Sequence, residues 1–382
     1  MTKRITYNII QLQSIKFDYK GGLIMLKENK QINIGILGCG QISQAAHLES
    51  CRRAKNAHLY AICDVDPFLL ERMNQIHQPD KTYSDYDEML QDSNIDAVII
   101  GIADQFHVPM AKKAIMQGKH VLVEKPLGVT IEECIDLQKH VAGTDLKVQI
   151  GSMKRYDPGI RAAKEFIDDE MGEMIGLKAW YCDSTYRYAV TDNVQPIIIS
   201  GKNVKRPSGD PKADKLRYYM LGHGSHLVDT ARFLGGDIIA VKAWNTQKFG
   251  AFCWFITVEY ASGFVGQLDL TIAVRMDWHE GFQIYGENGS IVAKTYNPWL
   301  FKASDVDIFK TADNSTHRPI SEDAHFYKLQ VEGFADSILT GEKGIGADLN
   351  DGIIAMKTMM AIAKSVQTGE TVRISDITSG EL

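Results

Sequence analysis

Ile32-Asn33-Ile34-Gly35-Ile36-Leu37-Gly38-Cys39-Gly40-Gln41-Ile42-Ser43 is where a reading of this chain finds its footing. The apolar first half reads as a short buried strand. A glycine turn follows at once, and from Ile42 to about Ala54 the pattern reads as a helix. Strand, tight turn and helix N-terminus together make a cradle for a pyrophosphate. Gly38 permits the turn and Gly40 lets the backbone come close. Amides at the helix head, around Gln41 and Ile42, hold the anion. Ser43 stands where such turns often carry a third glycine, and it is small enough to keep helix and strand close.

The next apolar run, His58 to Cys63, ends in Asp64-Val65-Asp66-Pro67. Asp64 lies 24 residues beyond Gly40, where an acid holds the hydroxyls of an adenosine ribose. It also reads as a helix N-cap ahead of Pro67, and the two readings are compatible. An acid there repels a 2′-phosphate, and Val65-Asp66-Pro67 offers no basic group to hold one, so NAD is expected over NADP.

Further along, Ile95 to Ile102 reads as a strand and Val108 to Gln117 as a helix closed by Gly118. Then comes Val121-Leu122-Val123-Glu124-Lys125-Pro126-Leu127-Gly128. Pro126 cannot donate to a sheet ladder, so the strand should stop there and leave Glu124 and Lys125 at the sheet edge. In open α/β sheets ligands sit beyond the carboxyl ends of the strands. Lys125 therefore either meets a cofactor and substrate together or forms a solvated pair with Glu124. Lys147 to Gly151 would close the unit. Strands alternating with helices argue a doubly wound parallel sheet.

The second half reads differently. Met174–Tyr181, Ile239–Trp244, Cys253–Tyr260, Phe264–Thr271 and Phe282–Gly286 are β-rich, and turns such as Ala261-Ser262-Gly263 separate the later ones. That pattern is a meander. Asp183 to Tyr218 is polar and reads as one long loop, a length usually tied to function or disorder. Helices return at His325–Leu339 and Asp351–Gln367, with Ile353, Met356, Met360 and Ile362 as core. The expected division is an extension over 1–30, a dinucleotide-binding unit over 31–150, and a unit for substrate and oligomerisation over 151–382. The first segment lacks a continuous apolar core ahead of a cleavage site, so it does not read as a signal peptide. Lys20-Gly21-Gly22 can be encoded by a purine-rich, ribosome-binding-like string shortly before Met25, so two readings stand for residues 1–24: read-through of a leader with translation starting at Met25, or a genuine N-terminal arm.

Composition narrows the classes. The 382 residues suffice for two cores, and 45% hydrophobic with 24% charged content is ordinary for a globular chain. A net charge of −6 gives no reason to expect nucleic acid binding. No apolar run approaches a membrane span. Six cysteines are scattered without a Cys-x-x-Cys pair, which fits reduced thiols in a cytoplasm better than disulfides or zinc.

Taken together, Gly38-Cys39-Gly40, Asp64, Gly118 to Leu127 and Gln149-Ile150-Gly151-Ser152-Met153-Lys154-Arg155-Tyr156-Asp157-Pro158 resemble the Gfo/Idh/MocA family of nicotinamide-dependent oxidoreductases. The resemblance runs from about Gln31 to Ile374 and is most specific at Glu124-Lys125-Pro126. It implies a Rossmann domain followed by an α/β domain whose large, mostly antiparallel sheet often forms the oligomer interface. A homodimer or homotetramer is therefore expected. It also implies NAD as cofactor and a sugar, cyclitol or related polyhydroxy compound as substrate. On the cofactor side it adds Glu124, Lys125 and His107. Ile102-Ala103 replaces a Thr-Pro frequent in the family, and Asp104 and Gln105 could replace the lost contacts.

Gly222-His223-Gly224-Ser225-His226-Leu227-Val228-Asp229 opens a further helix. With Ser225 as N-cap, His226 would lie in the first turn, where the helix dipole disfavours a protonated ring and leaves it fit to act as a base. The resemblance makes His226 the proton acceptor and Lys125 its partner. Gly222 departs from the family, which often carries an aspartate there, and His223 stands beside the gap as a substrate contact. His223, His226 and Asp229 have metal-like spacing but lack a further matching ligand, so no metal is expected. Arg155 and Tyr156 should enter the cleft after the last strand, either to bind a polyol or, respectively, to bridge the domains and fill core. Trp180, Tyr181, Tyr186 and Tyr188 could stack on a sugar face, although strand alternation lets at most one of Trp180 and Tyr181 do so. Two rival readings remain: an NAD-using glycosidase or lyase, and a non-catalytic NAD or ligand sensor.

Overall fold

Ile34, Gly35, Ile36 and Leu37 are buried in succession on the first strand, β1 (Ile32–Leu37), because both faces of its sheet are covered. The structure is a computed structural model. It describes residues 30–184, 198–203, 213–321 and 323–382, together with a short strand pair at 16–17 and 23–24. Tyr186, Tyr188 and the polar stretch around them lie outside the described residues.

The first unit continues through α1 (Leu48–Arg53), β2 (Ala57–Cys63), α2 (Pro67–His77), β3 (Lys81–Tyr83), α3 (Tyr86–Gln91), β4 (Ala97–Ile100), α4 (His107–Met116), β5 (His120–Val123), α5 (Ile131–Val141) and β6 (Val148–Ile150). Its six strands are parallel in the order β3-β2-β1-β4-β5-β6. The order reverses beside β1, which is where such sheets open a ligand crevice. A π-helical turn, Ser43–His47, precedes α1. The cap of α2 falls on Asp66, whose Oδ1 accepts from the Phe68 and Leu69 amides with Pro67 in the first helical position. That corrects the N-cap reading of Asp64: the two-residue offset leaves Asp64 outside the helix.

α6 (Pro158–Asp169) leads into β7 (Met174–Ser184). A helical run follows from Lys215 to Gly235, made of α7 (Lys215–Tyr219), a π turn over Met220–Gly224 and α8 (Ser225–Gly235). The strands are β8 (Ile238–Lys248), β9 (Ala251–Tyr260), β10 (Val265–Val274), β11 (His279–Gly286), β12 (Gly289–Thr295), β13 (Asp305–Lys310) and β14 (Ser315–His317). Two helices, α9 (Phe326–Thr340) and α10 (Leu349–Thr368), and a last short strand, β15 (Val372–Arg373), complete the chain.

The nine-stranded second sheet runs β14-β13-β12-β11-β7-β10-β9-β8-β15. It is not the uninterrupted meander expected from the sequence. β7 sits between β10 and β11, parallel to the first and antiparallel to the second, so those two strands cannot form a hairpin. Strands β12 to β15 were not legible as strands, being short or broken by charges such as Lys294, Asp305 and Lys310. Helices α8 and α10 pack Leu227, Ala231, Met356 and Ile362 against one face. The other face leaves Trp244, Phe255, Val265 and Val292 exposed.

The chain's end returns to its beginning. Val331, Phe334 and Ala335 of α9 share a core with Ile34, Leu48 and Ile62. Ile353 of α10 joins Val121 and Val123 in another, while Met356, Met360 and Ile362 pack under the second sheet, so the expected core of this helix is buried.

Candidate active site

Gly38 has φ +93, and a Cβ there would meet Ile102 Cγ2 at 2.5 Å, so only glycine suits the turn. A Cβ on Gly40 would meet nothing within 4 Å, which leaves open space at the head of the helix. The buried Ser43 hydroxyl, one helical turn further in, has no hydrogen-bond partner among the described residues. Cys39 N–H donates to Asp64 Oδ2 at 2.7 Å and Asp66 N–H to Oδ1 at 2.8 Å. Asp64 thus ties the end of β2 to the glycine turn while its half-exposed carboxylate keeps lone pairs for ribose hydroxyls. An open cradle, a waiting hydroxyl and a placed acid fit NAD.

A second-half segment reaches this turn, and nothing local in the sequence signals it. Gln44 Nε2 donates to Cys39 O at 2.8 Å and to Ile199 O at 2.9 Å, and Ile199 N–H donates back to Gln44 Oε1 at 2.8 Å. Asp66 Oδ2 accepts from Lys202 N–H at 2.6 Å and Asn203 N–H at 2.8 Å. These backbone donors hold the Asp66 carboxyl below its usual range. Lys202 Nζ lies 3.7 Å from the centre of the Phe68 ring. A cation therefore stands at the start of α2, although Val65-Asp66-Pro67 supplies none.

Glu124 and His107 are engaged by protein groups. The π turn aims His47 Nε2 at Glu124 Oε1, 2.9 Å away, both side chains buried. Burial pushes the Glu124 carboxyl up, but the His47 hydrogen bond and the charge of Lys125 outweigh it and hold it below the ordinary value. Glu124 Oε2 accepts the Lys125 amide at 3.2 Å. His107 spans Pro126 O at 2.7 Å and Ile102 O at 3.2 Å. These two residues brace the ends of β4 and β5. Asp104 sits half-buried in a 3₁₀ turn over Asp104–Phe106, ahead of α4.

Lys125 leaves the end of β5 and its Nζ donates to Gly222 O at 3.0 Å. That carbonyl lies one helical turn before His226, so the ammonium and the imidazole are brought to the same stretch of the second unit. The expected N-terminal position of His226 is not observed. Ser225 continues a helical run that begins at Lys215, capped by Asp214 through the Leu216 and Arg217 amides. The helix dipole therefore gives no reason for a neutral His226. Its ring instead lies parallel to Tyr181, with centroids 6.0 Å apart and an interplanar angle of 5°.

Tyr181 and Asp183 point from β7 toward this helix, and Trp180 points the other way, stacked on His279 at 5.6 Å. The alternation argument holds, and Tyr181 is the one of the two that faces the histidines. Tyr181 Oη is 3.3 Å from His223 Nδ1, and Lys154 Nζ lies 4.5 Å from the Tyr181 ring centre. Lys154 is hydrogen-bonded to Glu280, both buried. Burial presses the Lys154 ammonium down and the Glu280 carboxyl up, and their mutual attraction opposes both. Lys154 was read only as part of the resembling motif, and Asp183, Glu280 and Trp278, whose ring meets Tyr181 edge-on at 5.0 Å, were not singled out from the sequence. Asp183 became visible only once β7 proved to extend to Ser184.

Arg155 and Tyr156 face elsewhere. Arg155 donates from Nε and Nη2 to Asp229 at 2.8 to 3.2 Å and from Nη1 to Asp351 at 2.9 Å. The Tyr156 hydroxyl donates to Gln149 Oε1 at 3.0 Å, and its ring is packed with Phe326 and Tyr327. The bridging and core readings describe these two residues, and the geometry does not support their place among polyol contacts. Asp229 is taken by Arg155, and no group of His, Cys, Asp or Glu among the described residues is arranged to hold a metal ion.

A family model described as an oxidoreductase family with an NAD-binding Rossmann fold matches residues 32–152, and its C-terminal α/β partner matches residues 219–374. The chain belongs to the Gfo/Idh/MocA oxidoreductase family. NAD is the cofactor of its Rossmann unit. Among curated members, scyllo-inositol 2-dehydrogenase (NAD(+)) of Bacillus subtilis is 26% identical over 90% of this chain and 96% of that protein. Inositol 2-dehydrogenase 2 of Saccharopolyspora erythraea is 24% identical over 90% and 95%. Among solved members, a levoglucosan dehydrogenase in complex with NADH and L-sorbose superposes with a TM-score of 0.73 at 18% identity, covering 90% of this chain and 99% of the other. Gfo/Idh/MocA membership accounts for the pairing of a Rossmann sheet with a large mixed sheet.

Proposed function

We propose that this protein transfers a hydride between NAD and a carbinol carbon of a sugar, cyclitol or related polyhydroxy compound. The observation that carries this is the Lys125 to Gly222 hydrogen bond. It brings the cationic end of β5 to the helix that holds His226, next to the buried Tyr181, His223 and Asp183. Bound NAD supplies the hydride acceptor. The cofactor half is assigned to residues 31–150, with Gly38, Gly40, Gln41, Ile42 and Asp64 as its contacts. The substrate half is assigned to the chain from 151 on. In oxidation His226 takes the hydroxyl proton, and the Lys125 ammonium stabilises the developing alkoxide. The buried Lys154–Glu280 pair packs beside Tyr181.

Incubation with NAD and a panel of polyols, followed through nicotinamide absorbance, tests the reading. Net NADH formation with at least one polyol is expected. Turnover of a glycoside without it would replace the proposal with a transient-oxidation mechanism.

NAD is expected to outperform NADP in catalytic efficiency, because Asp64 opposes a 2′-phosphate. Asp64→Ser should narrow the preference, and with Lys202 nearby the gain should fall on NADP. A wild-type enzyme equally efficient with NADP would sink this assignment.

The open face of the second sheet is assigned to self-association as a homodimer or homotetramer. Trp244 and Phe255 are cross-strand partners there and are both more than half exposed. Large apolar side chains set side by side on an open sheet face support association. Trp244→Glu combined with Phe255→Lys is expected to yield monomers by light scattering at micromolar concentration. A wild-type chain that is already monomeric would contradict it. The six cysteines of the sequence are free thiols, five of them buried, in keeping with a reducing cytoplasmic setting. Among the described residues no helix is long and apolar enough to cross a membrane.

A further inference from the structure

Residues 198–203 follow β7 in the chain, yet they dock on the first unit. Both backbone groups of Ile199 bond to the Gln44 side chain, and the Ile199 side chain packs against the core of Ile34, Leu48 and Leu69. Further on, the Lys202 and Asn203 amides meet Asp66 Oδ2, and the Lys202 ammonium lies over the Phe68 ring. Between these anchors stands Gly201. A Cβ there would lie 2.7 Å from Asp66 Oδ2, so the close approach needs glycine. Asp66 is 0% exposed, and a carboxylate at that depth needs donors. The Phe68 and Leu69 amides supply two, and the docked segment supplies two more. The anchors stand at either end of the expected cofactor contacts. Gln44 Nε2 also donates to Cys39 O, the Cys39 amide donates to Asp64 Oδ2, and the Asp66 amide donates to Asp64 Oδ1. A chain of hydrogen bonds thus runs through Gln44, Cys39, Asp64 and Asp66, and residues 199–203 close it into a ring.

We propose that residues 198–203 form a strap over the adenosine end of the NAD site, closed while the dinucleotide is held and lifted for it to enter or leave. The strap has no helix or strand of its own, and residues 200–203 are exposed. Its hold is one half-buried isoleucine and a few hydrogen bonds that water can replace. Segments held so lightly open locally, without unfolding the rest. Lifting it breaks no sheet ladder and leaves the Asp64 bonds to Cys39 and Asp66 in place. Cofactor exchange then becomes a step governed by the second unit, and opening of this kind limits turnover in many enzymes. The inference rests on the reading of Gly38, Gly40 and Asp64 as NAD contacts and adds what controls traffic at that site.

Stopped-flow fluorescence with NADH tests it. Gly201→Val puts a branched side chain against Asp66 Oδ2, so the strap cannot seat, and it leaves Gly38, Gly40 and Asp64 as they are. Association and dissociation rates should both rise about tenfold or more, the scale of losing a hydrogen bond to a charged group, while affinity changes less. Unchanged rates, or a faster dissociation alone, would make the segment a fixed contact and overturn the strap. A measurement on the wild type does not depend on how the variant folds. Hydrogen exchange in the peptide carrying residues 198–203 should slow when NADH saturates the protein, and exchange that NADH leaves unaltered overturns the proposal as well. Asp64→Ala judges the reading beneath it. Undiminished NADH affinity in that variant would mean that the cofactor contacts are misassigned. Weakened binding in Asp64→Ala beside unchanged rates in Gly201→Val would fail the strap alone.

Discussion

Replacing His226 by alanine is expected to lower turnover about 10²–10⁴-fold, the usual effect of losing a general base. NAD affinity should change little, because His226 belongs to the helical run of the second unit and not to the glycine turn. The loss should be partly offset at high pH in the oxidative direction, where hydroxide can take the proton. Lys125→Ala should differ in kind. Lys125 lies at the end of β5, on the cofactor's sheet, and its Nζ is bonded across to Gly222 O. Its removal should lower turnover and also weaken NAD binding. His223→Ala is the control that assigns the histidines. A larger loss of turnover in His223→Ala than in His226→Ala would move the base to His223. Steady-state kinetics on the three variants, with NAD affinity measured by fluorescence, distinguishes these cases.

Arg155→Ala is expected to cost about 3–5 kcal/mol of stability, the range for breaking a buried ion pair from one side. Arg155 is bonded to both oxygens of Asp229 and to Asp351, and its side chain is almost wholly buried. Burial raises the Asp351 carboxyl, but the Arg155 charge outweighs it and holds the group below its ordinary value. A depressed carboxylate contributes stability above its unfolded pKa and loses it as pH falls through the folded one. The destabilisation in Arg155→Ala should therefore be fully present near neutral pH and shrink in acid. Urea unfolding at two pH values measures both. A cost under about 1 kcal/mol would place Arg155 among pairs that solvent already screens.

The sequence by itself determined the Rossmann half. β1, the glycine turn and the strand-terminal Asp64 are local features, and the physics that makes them, burial on both faces and backbone freedom at Gly38, is written in consecutive residues. Lys125 at the end of β5 was legible for the same reason, since Pro126 stops the ladder wherever the strand packs. Local pattern could not say which partners a polar side chain finds across the chain. Arg155 follows a strand that leads into the cleft, yet Asp229 and Asp351, 74 and 196 residues away, turn it into a bridge. Glu124 was drawn inward by His47, because a π turn rotates that histidine toward β5. The helical start at Lys215 removed the dipole argument for His226, since a helix terminus is set by where the run begins and the run begins before the glycines.

Only the tertiary structure placed β7 between β10 and β11, and that insertion sets Tyr181 and Asp183 against the histidines. Strand neighbours so far apart in sequence are chosen by packing of the whole sheet, and a short strand carries no mark of its partner. The same holds for Ile199 and Lys202 on Gln44 and Asp66: backbone amides make those contacts, and backbone amides are alike in every residue except proline.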